Sequence, residues 1–237
     1  MHKLDLGSLK IYQDLTDWNE DRTLTSLVKT CIEAQKRAAA DFFQNSFKPD
    51  PNAGAAAVSE EALQSILQSG RDEHGIAKES DISNVIVFNA RNIGDSVLST
   101  QVVTFRKSVD ALILKRIKQN FRANGSLSVA ASGHFWYPSG AYMGWHTNSG
   151  APGWRMYISH AEEPGKSFFR YRDPDTQKII TSLDDEWNVR LFEIRRDKPL
   201  WHAVYSDTNR FSLGYVLYKS SYAESLRRLV KRVLKAN

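Results

Sequence analysis

Two hydrophobic rhythms meet near residue 126. Before it, apolar residues recur at helical spacing. In "SLVKTCIEAQKRAAADFFQNSF" (26–47), Leu27, Cys31, Ala34, Ala38 and Phe42 share one face with charges between them, which predicts an amphipathic helix. "KPDPNAGAAAVSE" breaks that pattern with two prolines and small residues and predicts a loop. "SEEALQSILQSG" predicts a short helix: Ser59 caps it, acids fill its first turn and Gly70 ends it. "NVIVFN" (84–89) predicts a strand. "SVDALILKRIKQNF" (108–121) predicts a second amphipathic helix, with Leu112, Ile113, Ile117 and Phe121 on its apolar side.

From residue 126 the period falls to two. "SLSVAASGHFWYP", "WRMYISHA", "KSFFRYRD", "QKIITSL", "WNVRLFEIR", "LWHAVYS" and "RFSLGYVLYKS" alternate in the manner of short strands separated by turn residues. Seven such segments in succession predict a β-sandwich or barrel. The tail, "SYAESLRRLVKRVLKAN" (221–237), returns to helical spacing, with Leu226, Leu229, Val230, Val233 and Leu234 in one stripe. The predicted fold class is α+β, mainly β, in a single domain over 1–237. Residues 1–125 form a helical support with a mobile loop at 46–83, 126–220 the β core, and 221–237 a C-terminal helix. The first third has too few large apolar residues for a core of its own.

Composition narrows the function only a little. The chain has 237 residues, enough for one sizeable core. Lysine and arginine number 32 against 27 acids, a net charge of +5 that permits nucleic acid as a partner without indicating it. Cys31 is the only cysteine, which excludes an intrachain disulfide and a thiolate zinc site and suits a reducing compartment. The N-terminal stretch lacks the basic start and apolar run of a signal peptide. No apolar run reaches the length of a membrane span. The expected location is the cytoplasm.

The chemistry-bearing residues lie in the β half. In "YMGWHTN" (142–148), His146 and Asn148 are two apart, so an extended backbone would turn both to one face. They are either half of a metal site or a polar edge on an aromatic strand. His202 lies inside the apolar "PLWHAVYS", and Arg210 and Ser212 share a face of the last strand. A buried arginine cannot shed its charge, so Arg210 is either paired with an acid or held for a ligand carboxylate. Tyr137 and Tyr142 flank a Pro-Ser-Gly turn and put hydroxyls near the mouth of the barrel, or simply fill it. Arg155 and Tyr157 alternate on "WRMYI" and are candidates to line the same cavity. The tryptophans at 136, 145, 154 and 201 either stack on a substrate or pack the core. Lys166, Arg170 and Arg172 either attract an anion or form a solvated strand edge.

The order tyrosine, turn, His-x-Asn, strands, His, Arg-x-Ser resembles the iron(II)- and 2-oxoglutarate-dependent dioxygenases, particularly the prolyl-hydroxylase-like branch. The resemblance covers residues 126–220 and implies a double-stranded β-helix, or jelly roll, around one iron. It implies His146 and His202 as iron ligands, with Asn148 where the family has a carboxylate. Arg210 and Ser212 match the residues that bind 2-oxoglutarate, and Tyr137 matches a tyrosine that helps hold it. Trp145 and Trp201 join Arg155 and Tyr157 as candidate cavity lining. The cofactors implied are Fe(II), 2-oxoglutarate as co-substrate, and O2. Asn148 has three explanations: a neutral third ligand, replacement by Asp184 or Asp185, or loss of the oxidation chemistry. A catalytically silent binding protein and a cupin-like metalloprotein are the alternatives to an oxygenase. Nucleobase repair is not favoured, because Val216 stands where those enzymes carry a second arginine. The expected substrate is a small molecule or peptide, with residues 46–83 as its lid.

Overall fold

The computed structural model describes residues 3–18, 20–38, 50–69, 83–84, 86–87, 97–123 and 126–220. The first half runs β1 (Leu4–Asp5), β2 (Tyr12–Asp14), α1 (Arg22–Ala38), α2 (Pro51–Ala57), α3 (Glu60–Gln68), β3 (Ser83–Asn84), β4 (Ile86–Val87), α4 (Val97–Asn120) and β5 (Phe121–Arg122). The second half is all strand: β6 (Ser126–Tyr137), β7 (Ala141–His146), β8 (Gly153–Ala161), β9 (Ser167–Arg172), β10 (Ile179–Leu183), β11 (Trp187–Ile194), β12 (His202–Ser206) and β13 (Arg210–Ser220).

These strands form a six-stranded sheet, β2-β11-β8-β13-β6-β4, and a five-stranded sheet, β10-β9-β12-β7-β3. Every pairing within the two sheets is antiparallel. The period of two in the sequence sorts side chains into three layers. Phe211, Leu213, Tyr215 and Leu217 of β13, with Trp154, Met156 and Ile158 of β8, face α1 and α4. There they meet Val28, Ile32, Ile113 and Ile117, none more than 2% exposed. Each such burial contributes roughly 1.5–3 kcal/mol. The opposite face of that sheet meets the five-stranded sheet through Tyr137, Phe192, Ile194, Phe169, Tyr171 and Val204. Trp145, Trp201, Ala203 and Tyr205 project from the far side of the smaller sheet onto Val58 and Leu63.

Several expectations change. The predicted loop at 48–60 contains α2. Asp50 caps that helix by accepting from the amides of Asn52 (3.0 Å) and Ala53 (3.1 Å), and Pro51 fills its first turn, where a missing N–H costs nothing. Gly54 lets it approach the sheet: a Cβ there would lie 2.8 Å from the Tyr205 ring. Residues 50–69, the described part of the expected lid, therefore pack on the outer face of the five-stranded sheet. Ser59 caps α3 as predicted, accepting from Ala62 N at 3.1 Å. The predicted helix at 108–121 begins earlier, at Val97. The strand expected at 84–89 is two short pieces, one in each sheet: β3 pairs with β7 and β4 with β6. An eighth core strand, β7, joins the seven expected. The predicted tail helix at 221–237, the end of the first helix beyond residue 38, and residues 46–49 and 70–82 of the expected lid lie outside the described residues. Among the described residues no helix is long and apolar enough to cross a membrane.

Candidate metal centre

His146 ends β7 and His202 begins β12, and the two are register partners across the antiparallel ladder. A bulge makes this possible. Met143 pairs with Val204, so an unbroken ladder would set Trp145 opposite His202. Instead Gly144 and Trp145 together oppose Ala203, and the extra residue turns His146 to the inner face while Trp145 goes outward. Trp145 then donates its indole N–H to Ser59 O at 2.7 Å, tying the strand to the start of α3.

The imidazole centroids are 4.1 Å apart. Each ring is oriented by its own strand: His146 Nδ1 lies 2.8 Å from Gly144 O, and His202 Nδ1 lies 2.9 Å from Leu200 O. A carbonyl only accepts, so Nδ1 carries the proton in both rings and Nε2 keeps its lone pair. Burial lowers the pKa of His146, and burial together with the His146 ring pushes His202 well below the ordinary value. Both rings are thus neutral, the form that binds a metal. Contacts of this kind also orient histidines that bind metals.

Asn148 is not on the strand. β7 stops at His146, and Asn148 has φ +55°, in the left-handed region that asparagine tolerates better than most residues. The expected alternation from His146 is therefore replaced by a turn. The side chain still reaches the site: its Nδ2 lies 3.2 Å from His202 Nε2 and donates to it. Half a rotation of the amide would present Oδ1 instead. Among the described residues no three histidine, cysteine or carboxylate side chains converge on one point. Two imidazoles whose Nε2 atoms carry lone pairs and one amide are donor types that suit a divalent cation without a charged ligand.

Asp184 is not the missing carboxylate. Its Oδ1 accepts from Arg190 Nη1 (2.5 Å), and its Oδ2 accepts from Arg210 Nε (2.7 Å) and Ser167 Oγ (2.5 Å). Burial alone would raise its pKa, but the Arg210 and Arg190 guanidiniums hold it at about 2. Asp185 is exposed. Neither therefore supplies a third ligand.

Arg210 is 1% exposed and lies against the face of Tyr137, its Cζ 5.1 Å from the ring centroid. Pairing with Asp184 uses Nε, while Nη1 is buried without a hydrogen-bond partner. Of the two sequence alternatives for Arg210, the acid pairing is the one present, and it leaves one donor over. Ser212 follows on the same face, and Tyr137 is its neighbour across the ladder at the Arg210 position. Tyr157 also faces inward, packed edge-on to Phe192 at 5.0 Å. Burial raises the Tyr157 pKa, and Arg155 and Arg210 both act against that rise, so the phenol lies within the field of each.

Trp145 and Trp201 do not line the interior; both belong to the outer cluster beneath α2 and α3. Trp136 and Trp154 pack against α1 and α4. Arg170 is committed to structure, donating to Val58 O at 2.8 Å. Sequence reasoning missed Arg190 and the hub role of Asp184. An arginine amid the apolar residues of "WNVRLFEI" was the signal for a buried acid partner.

No protein-family model matches this chain, and no curated protein matches it. Solved structures of similar outline include an oxidoreductase of the 2OG-Fe(II) oxygenase family from Burkholderia pseudomallei. It shares 14% identity at TM-score 0.41, over 70% of this chain and 82% of that one. A prolyl hydroxylase from Trichoplax adhaerens, in complex with a hypoxia inducible factor oxygen degradation domain peptide fragment, shares 11% identity at TM-score 0.40, over 82% and 92%. The dioxygenase for auxin oxidation from Arabidopsis thaliana, in a 2-oxoglutarate complex, shares 9% identity at TM-score 0.43, over 92% of both chains. The functional reading rests on the side chains.

Proposed function

We propose that the protein is a non-haem iron(II)- and 2-oxoglutarate-dependent oxygenase that hydroxylates a small molecule or peptide. One observation carries the reading: two neutral imidazoles, 56 positions apart in the chain, face each other with both Nδ1 atoms committed to backbone carbonyls. The eight strands β6 to β13 support it too. On this reading they form a double-stranded β-helix, which their order, β11-β8-β13-β6 and β10-β9-β12-β7, supports.

On this reading His146 Nε2, His202 Nε2 and the Asn148 amide oxygen hold the iron. Bound iron, 2-oxoglutarate and O2 together supply the oxidising chemistry, with succinate and CO2 as co-products. The chain's own residues bind and orient. Arg210 Nη1, the spare donor, takes the distal carboxylate of the co-substrate, and Ser212 adds a hydroxyl beside it. Asp184 holds Arg210 in place, so little side-chain entropy is lost when that carboxylate arrives. Tyr137 and Tyr157 wall the passage between the two ends, and Phe169 and Phe192, each within 6 Å of the His202 ring, exclude water from it. Asn148 would bring no negative charge to a metal held there.

Succinate formation from 2-oxoglutarate with Fe(II) and O2 tests the proposal. Turnover that is lost in His146→Ala and His202→Ala is expected. No succinate, together with no measurable 2-oxoglutarate binding, would instead support a silent binding protein.

A further inference from the structure

Three guanidiniums face the interior, from Arg155, Arg190 and Arg210, each at most 7% exposed. Among the described residues a single fully buried carboxylate, Asp184, lies with them. Arg190 and Arg210 share it, and Arg190 also lies 3.8 Å from Asp14 at the margin. Arg155 stands apart. Its described hydrogen bonds go only to backbone carbonyls, Nη1 to Trp154 O at 3.3 Å and Nη2 to Ala151 O. Such partners satisfy N–H groups but leave the charge uncompensated, and a buried charge without a counter-charge is costly.

Arg155 is also at the other end of the interior. On β8 it pairs with Val216, whereas Arg210 pairs with Ala161. Six residues of strand separate these points, about 20 Å along the backbone. The loop whose Ala151 carbonyl it holds carries Asn148, and its positive charge is felt at His202. A dicarboxylate fixed at Arg210 would leave Arg155 unanswered, and so would a metal site whose third ligand is an amide.

We infer that Arg155 is a specificity-determining residue that binds a carboxylate on the primary substrate, beside the imidazole pair. A planar fork suits a carboxylate better than a point anion. The aromatic walls of Tyr157 and Phe192 suit an apolar body attached to it. This deepens the oxygenase reading and rests on it for what the bound acid is there to undergo.

The test uses benzoate as the acidic probe and benzamide as its neutral isostere, titrated calorimetrically into the full chain loaded with Mn(II) and saturating 2-oxoglutarate. Benzoate is expected to bind at least tenfold tighter than benzamide. Arg155→Gln should bring the two within about twofold while leaving 2-oxoglutarate affinity within threefold, and Arg155→Lys should keep part of the preference. Arg210→Gln should do the reverse, weakening 2-oxoglutarate tenfold or more and sparing the benzoate preference. The thermal midpoint of ligand-free Arg155→Gln should equal or exceed that of the parent, because a charge awaiting a ligand does not stabilise the empty fold. Equal binding of benzoate and benzamide by the parent would overturn the inference. So would a preference that survives Arg155→Gln, or loss of 2-oxoglutarate in Arg155→Gln instead of Arg210→Gln. The same titration without metal or 2-oxoglutarate separates the two claims: a benzoate preference that depends on Arg155 in a chain that binds neither sinks the oxygenase reading and sustains the carboxylate site.

Discussion

The two ends of the interior solve opposite electrostatic problems. At the arginine end, two guanidiniums close on Asp184, Ser167 adds a hydroxyl, and one donor of Arg210 is left over. At the histidine end the described residues bring no carboxylate, both rings are neutral, and Asn148 closes the gap with a single hydrogen bond of 3.2 Å. The first end is assembled by charge and is costly to disturb. The second is assembled by backbone geometry, a bulge and two carbonyls, and on the proposed reading it is the end that takes the cation.

The largest effect should come from breaking the arginine end. Asp184→Asn leaves two buried guanidiniums without their anion and should cost about 3–5 kcal/mol in urea unfolding. Next in size is acid. Asp184 titrates at about 2 in the fold against about 3.9 when unfolded, so its contribution is complete above pH 4 and is lost as pH falls toward 2. That loss should be roughly 2–3 kcal/mol, and the matching step should be missing from the pH–stability profile of Asp184→Asn. Gly54→Ala reaches neither polar cluster directly: it presses on Tyr205 and Tyr142 from the outer face of the smaller sheet. It should cost about 1–3 kcal/mol and leave the acid step unchanged. Smallest is Asn148→Asp, which adds the missing charge. It should tighten Mn(II) binding about tenfold, or roughly 1.4 kcal/mol, in calorimetric titration. A loss of binding would remove position 148 from the ligand set.

Much of this contrast was legible in the chain, because period-two alternation and the placement of His146, His202 and Arg210 are local signals. What was not legible depends on register. Nothing near Gly144 announces the bulge that turns His146 inward. Trp145 and Trp201, each next to an inward histidine, fall on the outer face by alternation, and placing them in the interior overlooked that. Asn148 was expected on a strand, but a side chain with a positive φ leaves the ladder. Asp184 was placed among possible metal ligands, since pairing across 26 residues to Arg210 leaves no trace in spacing. The helix α2 was hidden by its own signals: Asp50, Pro51 and a run of alanines read as a loop through the proline, although Asp-Pro also opens a helix.

The central claim is that two imidazoles on neighbouring strands bind one cation and one arginine holds the far end of a dicarboxylate. Anaerobic calorimetric titration with Mn(II), followed by 2-oxoglutarate, tests it most directly. The account predicts one Mn(II) per chain, lost in both His146→Ala and His202→Ala, and one 2-oxoglutarate whose affinity falls at least tenfold in Arg210→Gln. Mn(II) binding that is undetectable, or unchanged when either imidazole is removed, would contradict it.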